Sequence, residues 1–406
     1  MAKAGGVSMA SAPVRDGNVH GEHHALRPRG AERMKGAALD MRDDTRGAGD
    51  DSRDAAAGVD AALSIPFTIA RFDWLEGAFS PFTRKSSKES YIGGLVRELE
   101  GFAEEGERAL ATRSLSIGPG GIGTLEADLI ADVFGAAARL LRLDEADRAA
   151  WVDPGVLSTS QLDVLRACGV NRYVVRFLSS DPRECDFMGL PGAHIEMQKT
   201  AMVLDYAGSH TLDMQLVVGL YGQSERSLRE SLVAAMHYHA WHIQLVSVRP
   251  GFGKACDDAT TSRLFSFACG WLEEHGFLRY APCCFARPGA ERPAEAHRFE
   301  SPSELGFGMA ATSVFNGLIW ENVVDIDEYI RAEGSPEALT AHVATLDDGA
   351  LQARARWADL YHLRGLEGRE NRSELLESGL FTMDGEGTLQ LSPLGSLRPF
   401  EAFALI

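Results

Sequence analysis

The sequence predicts an α/β protein: a parallel sheet curled into a closed or partial TIM-like barrel, followed by a C-terminal α+β extension. Three observations carry this. Between residue 61 and about 276, short apolar runs alternate with helix-length amphipathic stretches, which implies parallel pairing through helical crossovers. The runs Tyr173-Val174-Val175 and Leu216-Val217-Val218 are apolar on both faces, as in a sheet covered on both sides. Loops at Thr68–Leu75, Gly118–Gly123 and Leu220–Gln223 follow strand-like runs, where a parallel barrel gathers its ligand site.

Taken in order, residues 1–60 mix Gly, Ala, Arg and Asp with few aromatic or β-branched residues and are expected to form a disordered tail. Its His20-Gly21-Glu22-His23-His24 tract has metal-ligand residue types but no fixed cage, and reads as incidental. A strand is expected over Ala61–Phe67. Ser86 or Ser87 can cap a helix that places Tyr91, Leu95, Leu99 and Phe102 on one face. Ser114–Ile117 reads as a second strand, and Thr124 as the cap of a helix with the stripe Leu129, Ile130, Val133, Phe134, Ala137, Leu140 and Leu141.

A helix over Ser160–Cys168 stopped by Gly169 comes next, then strands over Arg172–Leu178 and Leu212–Gly219. A helix from Ser224 is expected to turn Leu228, Leu232, Val233 and Met236 inward. Strand His242–Val248 and helix Thr260–His275, ended by Gly276, complete the alternating part. Beyond it lie a Pro- and Gly-rich stretch around 282–293, a glycine-punctuated strand Leu305–Phe315, and a helix near Ser373–Ser378 leading through Asp384-Gly385-Glu386-Gly387 to Leu389–Leu391. The expected organisation is a tail over 1–60, a barrel over 61–276 and a C-terminal domain over 277–406 with a winged-helix-like end.

Charge narrows the partners. With 40 Lys and Arg against 58 Asp and Glu the net charge is -18, which repels phosphate backbones and anionic membrane surfaces, so neither a nucleic acid nor a membrane is expected as partner. The first 60 residues contain no continuous apolar core of a signal peptide, and a cytoplasmic location is expected. Six scattered cysteines, at 168, 185, 256, 269, 283 and 284, fit free thiols. Adjacent Cys283 and Cys284 would point to opposite faces of a strand, which argues against a shared metal site. His237, His239 and His242 have HxHxxH spacing but sit at a predicted helix end with no carboxylate completing a hydrolytic motif.

Several stretches then act together. Ile65-Pro66-Phe67, Tyr91 with Leu95 and Glu98, Gly118–Leu125, Asp153-Pro154, Gly169-Val170-Asn171-Arg172, Gly219–Gln223, Leu305–Ser313, Asn322 with Tyr329, Leu363-Arg364 and Leu391–Gly395 follow one another in one order. In that order and spacing the chain resembles the oxygen-independent coproporphyrinogen III oxidase and heme chaperone family, a branch of the radical S-adenosylmethionine (SAM) superfamily, through most of residues 62–395. The resemblance implies a radical SAM barrel, a [4Fe–4S] cluster held by a CxxxCxxC loop and SAM bound beside it.

The working parts of that family are replaced here. The three cysteine positions are Thr68, Phe72 and Leu75. The glycine-rich SAM loop reads Gly118-Pro119-Gly120-Gly121-Ile122, with Pro119 removing a backbone N–H. Trp151 stands where an acid is expected, Val174 and Leu178 replace polar residues, Arg176 replaces a glycine, and Gln215 replaces an acid; in the motif ending at Gln223 the proline has become Tyr221. The expected protein is a degenerate homologue without cluster, catalytic residues or metal. Its vestigial SAM pocket, made more apolar by Phe72, Leu75, Trp151, Val174 and Leu178, would take a tetrapyrrole such as heme or porphyrin or another small molecule, or the chain would assist a partner protein. Two alternatives stand beside this: a cluster-independent enzyme using Arg176 and Gln215, and an active radical SAM oxidoreductase with unusual ligation.

Overall fold

A computed structural model describes residues 58–69, 72, 74–75, 86–104, 109–206, 212–368 and 371–406. Residues 1–57, with the His20–His24 tract and all but the last three residues of the expected tail, lie outside the described residues; Val59 and Asp60, expected in that tail, instead open the first strand and are buried.

Six strands form the parallel centre of a 13-stranded sheet, in the order β1-β2-β4-β5-β6-β7. They are β1 (Val59–Ile65), β2 (Leu110–Pro119), β4 (Asp147–Val152), β5 (Arg172–Leu178), β6 (Leu212–Val218) and β7 (Ala240–Ser247), with the short β3 (Leu141–Arg142) paired to β2 off the main path. Beyond β7 lie β9 (Cys284–Ala286) and β8 (Leu278–Ala281), both antiparallel to their neighbours. On the other side β10 (Glu304–Phe307) runs parallel to β1 and leads into antiparallel β11 (Thr312–Phe315), β12 (Leu318–Asn322) and β13 (Thr340–Thr345). Among the described residues the hydrogen-bonded path runs from β13 to β8 without closing on itself.

Crossover helices cover the outer face: α1 (Ser86–Glu104), α2 (Ala127–Leu140), α3 (Thr159–Ala167), α4 (Pro182–Met188), α5 (Ala193–Tyr206), α6 (Glu225–His237) and α7 (Asp258–Glu274). Ser158 and Ser224 cap α3 and α6 through capping boxes, and Asp257 caps α7. The core follows the predicted stripes, with Tyr91, Leu95, Leu99, Ile130, Val133, Leu228 and Leu232 buried against the sheet.

Some expectations are corrected. Thr124 ends a single 3-10 turn over Ile122–Thr124, and α2 starts after Glu126, because Gln161 Nε2 donates to the Gly123 and Leu125 carbonyls and holds that turn apart from the helix. Val233 is exposed and Ala235, two residues along the helix, takes the inward position. Leu305–Phe315 is two antiparallel strands, because Gly308 turns the chain at φ +98° and its missing side chain makes room for Tyr91. Strand β4 and helices α4 and α5 were not legible.

The terminal segment is a helix, Arg372–Glu377, followed by the hairpin β14 (Phe381–Met383) and β15 (Leu389–Leu391). It shares a second apolar core with the helix Asp348–Tyr361 through Leu360, Leu375, Phe381 and Leu389. Among the described residues no helix is long and apolar enough to cross a membrane.

Candidate functional site: a sealed mouth above an interior cavity

Alternation along the parallel strands points Ser64, Gly118, Trp151, Arg176, Gln215 and Val246 toward the concave side, and the loops after β1, β2, β4 and β5 meet at its C-terminal end. The segment after β1 crosses this mouth. Leu75 bridges to Val248 just past β7, and Arg249 N–H donates to the Trp74 carbonyl at 2.7 Å, so the loop links the two outer strands of the parallel set. Phe72, Trp74 and Leu75 are buried with Leu178, Val217, Leu220, Val246 and Val248 in one apolar cluster over the strand ends.

Beneath this cap lies a buried cation. The Arg176 guanidinium pairs with the Asp153 carboxylate, donates to the Pro119 carbonyl, and lies 4.4 Å from the Phe72 ring centroid and 5.8 Å from that of Trp151. The two charged side chains are 4% and 1% exposed, so the pair is fully desolvated. Trp151 Nε1 donates to Ser116 Oγ at 3.3 Å, and the indole lies across Gly118, where any Cβ would overlap the ring. Gly120 brings its backbone onto β1, its N–H donating to the Ile65 carbonyl at 2.8 Å.

Each predicted position can now be placed. Thr68 lies half-buried in the loop, and Phe72 and Leu75 belong to the cap. Val174 packs with Ala149 and Trp151, Leu178 joins the cap, and Gln215 Nε2 donates to Gln244 Oε1 at 2.9 Å. Gln223 is structural: it accepts from Gly219 N–H and donates to the Val217 carbonyl. Of the five residues expected to line an apolar pocket, Trp151 lines the interior cavity described below, and Phe72, Leu75, Val174 and Leu178 are buried in apolar clusters outside its lining.

The cavity lies deeper, with a volume of about 190 Å³. Gly118, Pro119 and Trp151 meet it near the mouth, Ala62, Ser116 and Ala149 along its wall, and Met309–Thr312 close one side. Its floor comes from the segment that follows β9: Arg292 and the ion-paired Glu295 and Arg298. Arg292 also approaches Trp151, at 6.0 Å from the ring, from the side away from the cap.

Charges around the floor are matched within the chain. Asp60 pairs with Arg113, Asp147 and Asp213 with Arg172, and Glu304 with Arg354. Burial holds Glu295 against ionisation, yet Arg298 and Arg292 outweigh it and lower its pKa to about 2. His242, fully buried between Arg172, Arg292 and Asp213, bonds to Tyr280 at 2.8 Å, and burial followed by the two guanidiniums depresses its pKa well below the usual imidazole value. His237 and His239 are exposed, so the HxHxxH residues do not converge.

Cys283 lies in the turn between β8 and β9, not on a strand, so alternation does not separate it from Cys284. The two thiols act chiefly on each other, lowering the pKa of Cys283 and raising that of Cys284, which burial raises further. Among the described residues no group of three or more His, Cys, Asp or Glu side chains is placed to hold a metal ion.

The motif residues outside the mouth form a structural knot. Glu98 accepts from Tyr329 Oη at 2.5 Å, Asn322 Nδ2 at 2.7 Å and Gly308 N–H at 2.9 Å, while Tyr91 donates to the Ser64 carbonyl at 2.6 Å. Asn171 likewise bonds the backbone of Arg148 and Ala146.

The loop Thr68–Leu75 does not fit a four-iron cluster. A hydroxyl and two hydrocarbon side chains cannot replace three thiolates, and the Arg176 guanidinium places a cation under Phe72 where the lining would need soft donors.

No protein-family model matches the chain. In sequence it is 22% identical over 353 residues to the heme chaperone HemW of Bacillus subtilis strain 168, covering 79% of this chain and 92% of that protein. In structure it matches coproporphyrinogen III oxidase (HemN) of Escherichia coli, described as a radical SAM enzyme, with a TM-score of 0.71, 15% identity and 92% of each chain covered. The chain is therefore related in sequence to the heme chaperone HemW and shares its fold with the radical SAM enzyme HemN.

Proposed function

We propose that this protein is a cluster-free member of the heme-related radical SAM lineage that binds a small molecule in its interior and performs no SAM cleavage. One observation carries the reading: Arg176, desolvated and paired with Asp153, is packed between Phe72 and Trp151 beneath a loop that has no thiolates. A buried ion pair of this kind is costly to open, so the mouth is built as a plug. The matched charges and the knot around Glu98 support the reading, because they are contacts by which the fold would hold without a cluster. The polar groups a cluster-independent enzyme would use are engaged, Arg176 with Asp153 and Gln215 with Gln244.

The test is anaerobic reconstitution with iron and sulfide. The reading expects no stoichiometric four-iron cluster and no reductive cleavage of SAM; either one would overturn it.

A tetrapyrrole is favoured by the names of both relatives. The interior cavity of about 190 Å³ lies below the roughly 300–1,000 Å³ of pockets that enclose drug-sized ligands, so a macrocycle would sit outside the plug. There Phe187 and Tyr221 expose their rings 6.2 Å apart beside Lys254. A shifted Soret band on adding heme, lost in a Phe187→Ser/Tyr221→Ser variant, would support this version, and an unchanged heme spectrum would end it.

A further inference from the structure

We infer that the interior cavity is a preformed site for a neutral one- or two-ring heteroaromatic molecule, held against Trp151. This deepens the proposed function and rests on its reading of the interior as a binding site.

Size sets the first limit. A cavity of about 150 Å³ lined by apolar side chains holds benzene, so about 190 Å³ admits one ring or a compact pair. Shape sets the second. The Trp151 indole offers a broad flat wall, and Ala62, Ala149, Ala310 and Gly306 bring little or no side chain to the rest of the lining, an arrangement that suits a planar guest.

Charge sets the third. Six ionisable groups line the space, and each has an opposite charge within the chain: Asp60 with Arg113, Asp147 with Arg172, Glu295 with Arg298, Glu304 with Arg354, and Arg292 3.4 Å from Asp213. A charged guest would lose its hydration and meet no uncompensated partner, a cost that grows in a desolvated site. This excludes SAM, which carries a sulfonium and a carboxylate, as well as small carboxylates.

Hydrogen bonding sets the fourth. Thr312 lines the cavity at 5% exposure through atoms other than its hydroxyl, since Oγ1 has no surface that a water-sized group could reach. Ser116 Oγ accepts the Trp151 N–H and keeps its own hydrogen available on the same wall.

Indole and indole-3-carboxylate form the test, because they share rings and differ by a charge. Calorimetric titration of the full chain should show indole binding and indole-3-carboxylate binding at least tenfold weaker. Ala149→Phe, which fills the cavity, should abolish binding while its circular dichroism stays that of the parent.

The inference is overturned if indole gives no heat up to about 1 mM, the concentration for a free energy near -4 kcal/mol. It is equally overturned if the carboxylate binds as well as indole. Should Ala149→Phe not fold, the carboxylate arm still decides. Iron and sulfide content on the same preparation reads the cluster-free proposal separately, so a cluster-free protein that ignores indole overturns this inference alone.

Discussion

Replacing Arg176 with alanine probes the plug where it is most concentrated. The substitution deletes the cation that pairs with Asp153, the hydrogen bond to the Pro119 carbonyl and the contact with Phe72 at 4.4 Å. It leaves Asp153, 1% exposed, with a buried carboxylate, and breaking one side of such a pair costs about 3–5 kcal/mol. A desolvated cation–π contact adds up to roughly 2 kcal/mol, partly counted in the same loss. Urea unfolding should therefore show Arg176→Ala destabilised by about 3–5 kcal/mol with an unchanged slope.

Removing both charges should recover much of this. Arg176→Met with Asp153→Leu takes away the orphaned carboxylate, and replacing a buried pair by apolar groups is often neutral or stabilising by about 1–4 kcal/mol. The double-mutant cycle built from the single and double apolar variants should return a coupling above about 2 kcal/mol. A loss below about 1 kcal/mol for Arg176→Ala, the range of exposed pairs, would show that the guanidinium is solvated and the mouth open, and the reasoning would fail.

Three further outcomes follow from the same structure. Gly118→Ala places a methyl group into the Trp151 ring and should cost about 1–3 kcal/mol in urea unfolding, as overpacking does, while Trp151→Ala on top of it should relieve the clash. His242 is held neutral in the fold, so the unfolded chain takes up the extra proton; stability from this group is present above pH 6.5 and is lost as pH falls below it, and His242→Gln should flatten that acid limb in pH-dependent melts. Tyr329→Phe removes a donor to Glu98 in the knot joining α1 to the loop after β10, and should cost about 1–3 kcal/mol without altering indole binding.

Much of the architecture is written locally. The β5 run Arg172–Leu178 was read with its observed bounds because every residue in it is buried and apolar or paired, and the caps Ser224 and Gly276 mark helix ends by chemistry that needs no tertiary contact. Strand β4 was missed because Asp147-Arg148 opens it with charges whose partners, Arg172 and the Cys168 carbonyl, come from other elements.

The site was half legible. The loss of thiolates at Thr68, Phe72 and Leu75 is a matter of residue identity alone. That Phe72 and Leu75 would fill the mouth, leaving the cavity to Ser116, Met309 and Thr312, depends on where Arg176 finds its partner. Strand alternation puts Arg176 inside with Val174 and Leu178, and Asp153 at the end of the neighbouring strand was its available acid; that pairing was the signal to follow.

Iron and sulfide analysis of the anaerobically reconstituted full chain, read beside its absorbance near 400 nm, bears most directly on the central claim. The account predicts iron and sulfide near zero per chain after desalting and no change when SAM and a strong reductant are added. Four irons and four sulfides per chain, with cleavage of SAM, would contradict it and return the loop Thr68–Leu75 to service as a cluster site.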